Sequence, residues 1–213
     1  RLNGAHYKNK MLVMPVDYYN ADGTAVRQKM SGAMSVGHSA YDHYTLVYGG
    51  VDEEGNALYQ GYYDVRYGEG SYMANKGNNE YNYIISLHQW ILDQEEEGVD
   101  NPEQFLRDTL TNDASFAAQQ YVGKSYLPDI AGGVGVDLDV YGVTLSVACS
   151  YQIGGYGYDA TYMALMANAP IGGHNWHVDM LNAWTEQNTN SNIPRLSNGN
   201  GEFDSYANTT STR

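Results

Sequence analysis

Residues 130–155, IAGGVGVDLDVYGVTLSVACSYQIGG, alternate apolar with small or polar side chains through two runs. In the first, Val134, Val136 and Leu138 alternate with Gly133, Gly135, Asp137 and Asp139. In the second, Val143, Leu145, Val147, Cys149, Tyr151 and Ile153 alternate with Thr144, Ser146, Ala148, Ser150 and Gln152. A period of two predicts β-strands with one apolar face, and Val140, Tyr141 and Gly142 predict a tight turn between them. A half-buried sheet in water has this pattern. So does a transmembrane barrel hairpin, and the second run has the roughly 11 residues that a tilted spanning strand needs. Its polar face carries hydroxyls, Ala and Gln but no charge, which suits a barrel lumen. The pattern alone leaves both open.

The rest of the chain is less regular. Residues 1–14 predict a strand stopped by Pro15, and 17–24 a turn around an Asp-Gly pair. Tyr41–Tyr48 and Ala57–Val65 predict a hairpin closed by 51–56, with Tyr on both faces. Residues 68–80 are loop, and 81–93, YNYIISLHQWILD, are apolar but ambiguous in type. Asn101 as N-cap and Pro102 in the first turn predict a helix to about Leu110. Gly154-Gly155 ends the second long strand. Residues 158–169 and 175–185 predict short helices, the latter with Trp176, Met180, Leu181 and Trp184 in register.

Composition narrows the function classes. The chain has 213 residues and a net charge of −14, which argues against nucleic-acid binding. It holds 21 Tyr against 3 Phe, and Tyr suits aromatic girdles and sugar-stacking surfaces, where one end is wet. Cys149 is the sole cysteine, so no intrachain disulfide forms, and alternation puts it on the apolar face as a small hydrophobe. No apolar run is long enough for a spanning helix, which leaves barrel strands unaffected. His174 and His177 with Asp179 have the spacing of a partial zinc site; surface or packed histidines are the simpler reading, and no metal or cofactor is expected. The cluster Asp93, Glu95, Glu96 and Glu97 lacks the spaced ligand loop of a calcium site and reads as a solvated face. No nucleophile elbow, phosphate loop or dinucleotide fingerprint occurs, and no catalytic residue is expected. The chain lacks a signal peptide and ends in a polar run, SYANTTSTR, so it is expected to be a piece of something longer.

Several segments resemble the SusC/RagA-type TonB-dependent outer-membrane transporters. They are Tyr121-Val122-Gly123-Lys124-Ser125-Tyr126-Leu127-Pro128-Asp129, then Gly132-Gly133, then Asp137 through Tyr151-Gln152-Ile153-Gly154-Gly155. Upstream, in the family's order, come Lys8-Asn9-Lys10, Val36-Gly37-His38-Ser39 and Gly50-Val51-Asp52-Glu53-Glu54-Gly55. Downstream are Ala183-Trp184-Thr185-Glu186-Gln187-Asn188 and Ile193-Pro194-Arg195-Leu196. Residues 68–112 match poorly and resemble an insertion, and the family's Pro is missing from WTEQNT.

The resemblance implies an all-β fold: a segment of a large, roughly 22-stranded transmembrane antiparallel β-barrel with long extracellular loops containing short helices. It implies a strand at 1–14, an extracellular excursion at 15–128 holding the hairpin 41–65 and the insertion 68–112, a transmembrane hairpin at 129–153, and an extracellular loop at 154–213. It also implies that the plug domain and the last strands would lie outside this chain. Val134, Val136, Leu138, Val143, Leu145, Val147, Cys149, Tyr151 and Ile153 would face lipid. Asp137, Asp139, Thr144, Ser146, Ser150 and Gln152 would face the lumen. Tyr126 and Tyr151 would stand in the outer girdle and Tyr141 in the inner one, with the turn on the periplasmic side. Trp90, Trp176 and Trp184 are candidate contacts for substrate or lid. The implied function is uptake of oligosaccharides or peptides across the outer membrane of a Gram-negative bacterium. The implied partners are a SusD-like surface lipoprotein, the remainder of the transporter and, through its N-terminal part, the TonB complex. A secreted β-rich glycan-binding or glycan-hydrolysing protein, or a surface adhesin, is the alternative.

Overall fold

The computed structural model describes residues 1–68, 83–166 and 175–196. Its strands are β1 (Leu2–Ala5), β2 (Val16–Tyr19), β3 (Ala25–Arg27), β4 (Met30–Ser31), β5 (Met34–Ser35) and β6 (Asp42–Leu46). They continue as β7 (Tyr48–Val51), β8 (Ala57–Asp64), β9 (Leu106–Thr111), β10 (Gln119–Ser125), β11 (Pro128–Val140) and β12 (Val143–Gly154). The helices are α1 (Leu87–Glu96) and α2 (Ala160–Met166), with 3-10 turns at Pro102–Phe105 and Val178–Asn182. The chain divides into two compact units, residues 1–43 with 123–158, and 44–122 with 159–213.

The first unit is built on β11 and β12, antiparallel and joined by the two-residue turn Tyr141-Gly142. Both turn residues have positive φ, 52° and 81°, the type I′ geometry whose twist matches paired strands. Gly142 adopts it freely; Tyr141 does so against its Cβ. β1 adds to the outer edge of β11, and two small antiparallel pairs, β2 with β3 and β4 with β5, stand apart from this sheet. Among the described residues of this unit, Met14 is the sole buried apolar side chain. Neither β11 nor β12 buries any residue.

The second unit has cores of its own. Leu46, Ala57, Tyr59 and Ala117 form one, Met166, Met180, Ala183 and Ile193 the other. A three-stranded sheet runs β7-β8-β9. α1 presents Leu87, Trp90, Ile91 and Gln94 at helical spacing and stops at Gly98 (φ 80°). There Gly98 N–H bonds the Glu95 carbonyl and Val99 N–H the Gln94 carbonyl, a Schellman ending.

Three expectations are corrected. The helix from Asn101 to Leu110 is a single 3-10 turn followed by strand β9. Asn101 takes a left-handed φ of 51° instead of an N-cap conformation, and pairing with β8 claims 106–111. The strand expected over 41–48 is two, β6 pairing with β10 and β7 with β8. The helix over 175–185 narrows to the 3-10 turn at Val178–Asn182. The ambiguous stretch resolves as α1 from Leu87.

The Val51–Asn56 turn is tied down by its own side chains. Asp52 Oδ1 accepts from the N–H groups of Glu54 (2.9 Å) and Asn56 (2.7 Å), and Oδ2 from Asn56 Nδ2 (2.8 Å). Gly55 (φ 87°) lies under the Trp184 indole, where an added Cβ would come within 2.6 Å of the ring. Its carbonyl accepts from Arg195 N–H at 2.8 Å. Gly55→Ala therefore meets both a disfavoured φ and a filled space, and is expected to destabilise this unit by about 2–4 kcal/mol. A lowered unfolding midpoint followed by tryptophan fluorescence checks this; an unchanged midpoint would refute the packing.

Candidate functional site

The register of β11 on β12 fixes two faces. Val134 stands opposite Cys149, Val136 opposite Val147, Leu138 opposite Leu145, Gly132 opposite Tyr151 and Ile130 opposite Ile153. All nine side chains expected to face lipid thus share one face, together with Val140. The aliphatic ones are 42–70% exposed. Valine-rich composition favours the extended backbone, but among the described residues nothing buries this face. Removing eight such side chains from water is worth on the order of 10 kcal/mol, so the face calls for an apolar covering.

The opposite face carries Asp137, Asp139, Thr144, Ser146, Ser150 and Gln152, the six residues expected to face a lumen. Ser146 Oγ donates to Asp137 Oδ1 at 2.6 Å, and the Arg1 guanidinium lies 3.3 Å from Asp137 Oδ2. Both partners of that ion pair are exposed, which limits it to about 0–1 kcal/mol. Gly133 and Gly135 leave the face shallow beside these carboxylates.

The two ends of the hairpin are aromatic. Tyr141 is fully exposed at the turn. At the other end, where Gly154 and Gly155 both turn left-handed (φ 75° and 81°), Tyr156 N–H bonds the Ser125 carbonyl (2.8 Å) and Tyr126 N–H the Tyr41 carbonyl (3.0 Å). His43 Nε2 lies 2.7 Å from the Tyr156 carbonyl, so it carries the proton and donates. The His43 ring is 4.0 Å from that of Tyr126. Lys124 Nζ sits 4.2 Å over the Tyr156 ring and 3.0 Å from its hydroxyl. Sequence reasoning missed His43 and Lys124, which no spacing rule connects to Tyr156.

Charge divides between the units. The first holds six basic residues, Arg1, Lys8, Lys10, Arg27, Lys29 and Lys124, and six acidic ones, Asp17, Asp22, Asp42, Asp129, Asp137 and Asp139. The whole net charge of −14 therefore belongs to the second. There, Arg66 bonds the buried Asp64 and the Gln94 side chain, and stacks 4.5 Å over Phe105. The Asp64 hydrogen bond raises the Arg66 pKa still further. Asp93, Glu95, Glu96 and Glu97 stand exposed around the end of α1, with Glu97 accepting from Gln94 Nε2 at 3.1 Å. The Tyr44 hydroxyl meets Ser86 Oγ at 2.7 Å, and burial pushes its pKa up. Tyr44 therefore stays protonated at neutral pH.

Of the candidate tryptophans, Trp90 is half-buried in α1, Trp184 packs on Gly55 with its Nε1 buried, and Trp176 is 41% exposed. His174 lies outside the described residues. His177 Nδ1 caps the Val178–Asn182 turn, 3.2 Å from Asp179 N–H, and lies 3.3 Å from Asp179 Oδ2. The Tyr162 hydroxyl donates to Asp179 Oδ2 at 2.8 Å. Among the described residues no group of three His, Cys, Asp or Glu could hold a metal ion, and no helix is long and apolar enough to cross a membrane.

No protein-family model matches the chain, and no curated protein matches it. Solved structures do, among them two of RagAB. In "Structure of the RagAB peptide transporter", a chain aligns with 81% of this one and 15% of itself, at 20% identity and TM-score 0.47. In the RagAB peptide importer in the "closed-closed" state, the shares are 86% and 17%, at 19% identity and TM-score 0.50. This chain thus spans less than a fifth of the length of the chains it matches. Its mostly β fold is similar to a segment of a chain from a SusC/RagA-type system.

Proposed function

We propose that this chain is a late barrel segment of a SusC-like, TonB-dependent importer in the outer membrane of a Gram-negative bacterium. The observation that carries the reading is the hairpin. Two strands of 13 and 12 residues hold no buried residue, and every Val, Leu and Ile side chain of both faces one way. That face meets lipid, and the face with Asp137 and Asp139 meets the lumen. The fold likeness to a RagAB segment supports the same reading. The cargo is a peptide or an oligosaccharide, captured with a SusD-like lipoprotein lid and imported with energy from the TonB complex. The remaining strands and the plug come from the rest of the transporter. The second unit, acidic and rich in Tyr, belongs to the extracellular side.

Cys149 tests this directly, because it is exposed on the apolar face at mid-strand. An apolar maleimide partitioned into the membrane is expected to label Cys149 in outer-membrane vesicles, while a charged, water-borne thiol reagent leaves it unmodified. Ready modification by the charged reagent would place the face in water and sink the reading. Protection from both reagents would place it against protein, as a secreted enzyme or adhesin requires.

A further inference from the structure

We propose that Lys124, held on Tyr156 at the outer end of the hairpin, binds the phosphate of an outer-leaflet glycolipid. This rests on the barrel reading above and goes beyond it to a particular lipid contact.

The position follows from strand length. β11 has 13 residues, about 40 Å of extended chain. Tilted by about 40°, it rises about 30 Å, the thickness of a hydrocarbon core. With the Tyr141-Gly142 turn at one surface, Pro128 and its partner Gly154 reach the other. Lys124, Tyr126 and Tyr156 come next along the chain, at the level of the headgroups.

The chemistry follows from what holds the lysine. In a chain with 25 acidic residues against 11 basic ones, Lys124 is seated on a tyrosine. The ring face at 4.2 Å and the hydroxyl at 3.0 Å fix its ammonium, and no carboxylate is paired with it among the described residues. The nearby acids stand elsewhere: Asp42 accepts from Ser39 N–H at 2.9 Å and lies 3.7 Å from His38, and Asp129 lies beneath Gly154. Tyr156 is itself fixed through its carbonyl by His43. An ammonium has three donors; one points at the hydroxyl, leaving two for an anion outside. Exposed Tyr41, Tyr126 and Tyr156 supply the amphipathic surface on which the lipid's sugar and acyl parts rest.

The test uses the whole transporter with its co-extracting partner chains, exchanged into phosphatidylcholine nanodiscs. The nanodiscs carry a small fraction of either monophosphorylated lipid A or its dephosphorylated form, and retained glycolipid is counted by native mass spectrometry. The wild type is expected to retain the phosphorylated lipid about fivefold better, the preference of one cation at a lipid surface. Lys124→Ala brings the ratio to one, and Lys124→Arg keeps it above one. Lys124 is exposed, so neither variant threatens folding. Equal ratios in wild type and Lys124→Ala overturn the inference while the protein remains in the membrane. A wild type that stays in the aqueous fraction overturns the barrel reading instead.

Discussion

Val147→Arg is expected to remove most of the protein from the outer membrane. Val147 lies near the middle of β12, opposite Val136 and on the face with Leu138, Leu145 and Cys149. An arginine at the midplane of a barrel's lipid face costs about 2–4 kcal/mol, a large share of a typical folding free energy. The neighbouring substitution, Ser146→Arg, is the control. It places the same charge one residue away on the opposite face, beside Asp137, and forfeits one exposed hydrogen bond. A shift by one residue reverses the face, so the two arginines stand on the proposed lipid face and the proposed lumen face respectively. The measurement is the folded fraction in outer-membrane preparations, with the urea midpoint of the purified protein in micelles. In a sheet wetted on both sides, both variants would be well tolerated, since both positions are exposed within the chain. Equal yields and midpoints would therefore refute the lipid face.

The hairpin was legible in the sequence because everything that specifies it is local. Alternation assigns the faces, a two-residue turn fixes the register, and the glycines at 154–155 end the strand. Each of these acts within a few residues of the feature it determines. Elsewhere local signals lost to distant ones. Asn101-Pro102 has the chemistry of a helix start, yet β9 forms because Leu106–Thr111 pairs with Asp64–Tyr59, more than 40 residues earlier. Gly61 offers the Thr109 and Thr111 methyls room, with contacts of 3.4 and 3.6 Å to an added Cβ, and no window of sequence shows that. The same holds for the single strand expected from Tyr41 to Tyr48, which splits because β6 pairs with β10 and β7 with β8. The sequence offers Trp184 as a helix-packing residue or a substrate or lid contact, and its packing on Gly55 is not legible because Gly55 is 129 positions away and carries no side chain to announce it. At the outer end of the hairpin, Lys124 and His43 were invisible for a related reason: three separate segments bring them to Tyr156. The Tyr excess is plain in the composition, but which tyrosines stand at the ends of the hairpin depends on strand pairing.

Gly132→Ala is expected to loosen the sheet far more than Gly135→Ala, three residues further along the same strand. Tyr151 on β12 stands opposite Gly132 on β11, which stands opposite Gly4 on β1. With no side chain at Gly132, the Tyr151 ring lies across β11, and its hydroxyl donates to the Asn3 carbonyl of β1 at 3.1 Å. One side chain thereby ties three strands. A Cβ at Gly132 would fall 2.5 Å from the Tyr151 hydroxyl oxygen and 2.7 Å from the ring carbon bearing it, and would also press on the Asn3 carbonyl. A Cβ at Gly135 meets its nearest neighbour at 3.8 Å, an ordinary contact. Overpacking of this kind costs about 1–3 kcal/mol, and the lost hydrogen bond adds about 1 kcal/mol. Tyr151→Phe removes the hydrogen bond alone and should cost about 1 kcal/mol. Tyr151→Ala in the Gly132→Ala background relieves the clash with the ring but not that with the backbone, so the two changes should be less damaging together than their sum. Urea midpoints of these variants, with Tyr151→Ala alone as the fifth, read out all of these differences in micelles. If Gly132→Ala and Gly135→Ala unfold at the same midpoint, Tyr151 does not bridge the strands, and β1 is held to β11 by its ladder alone.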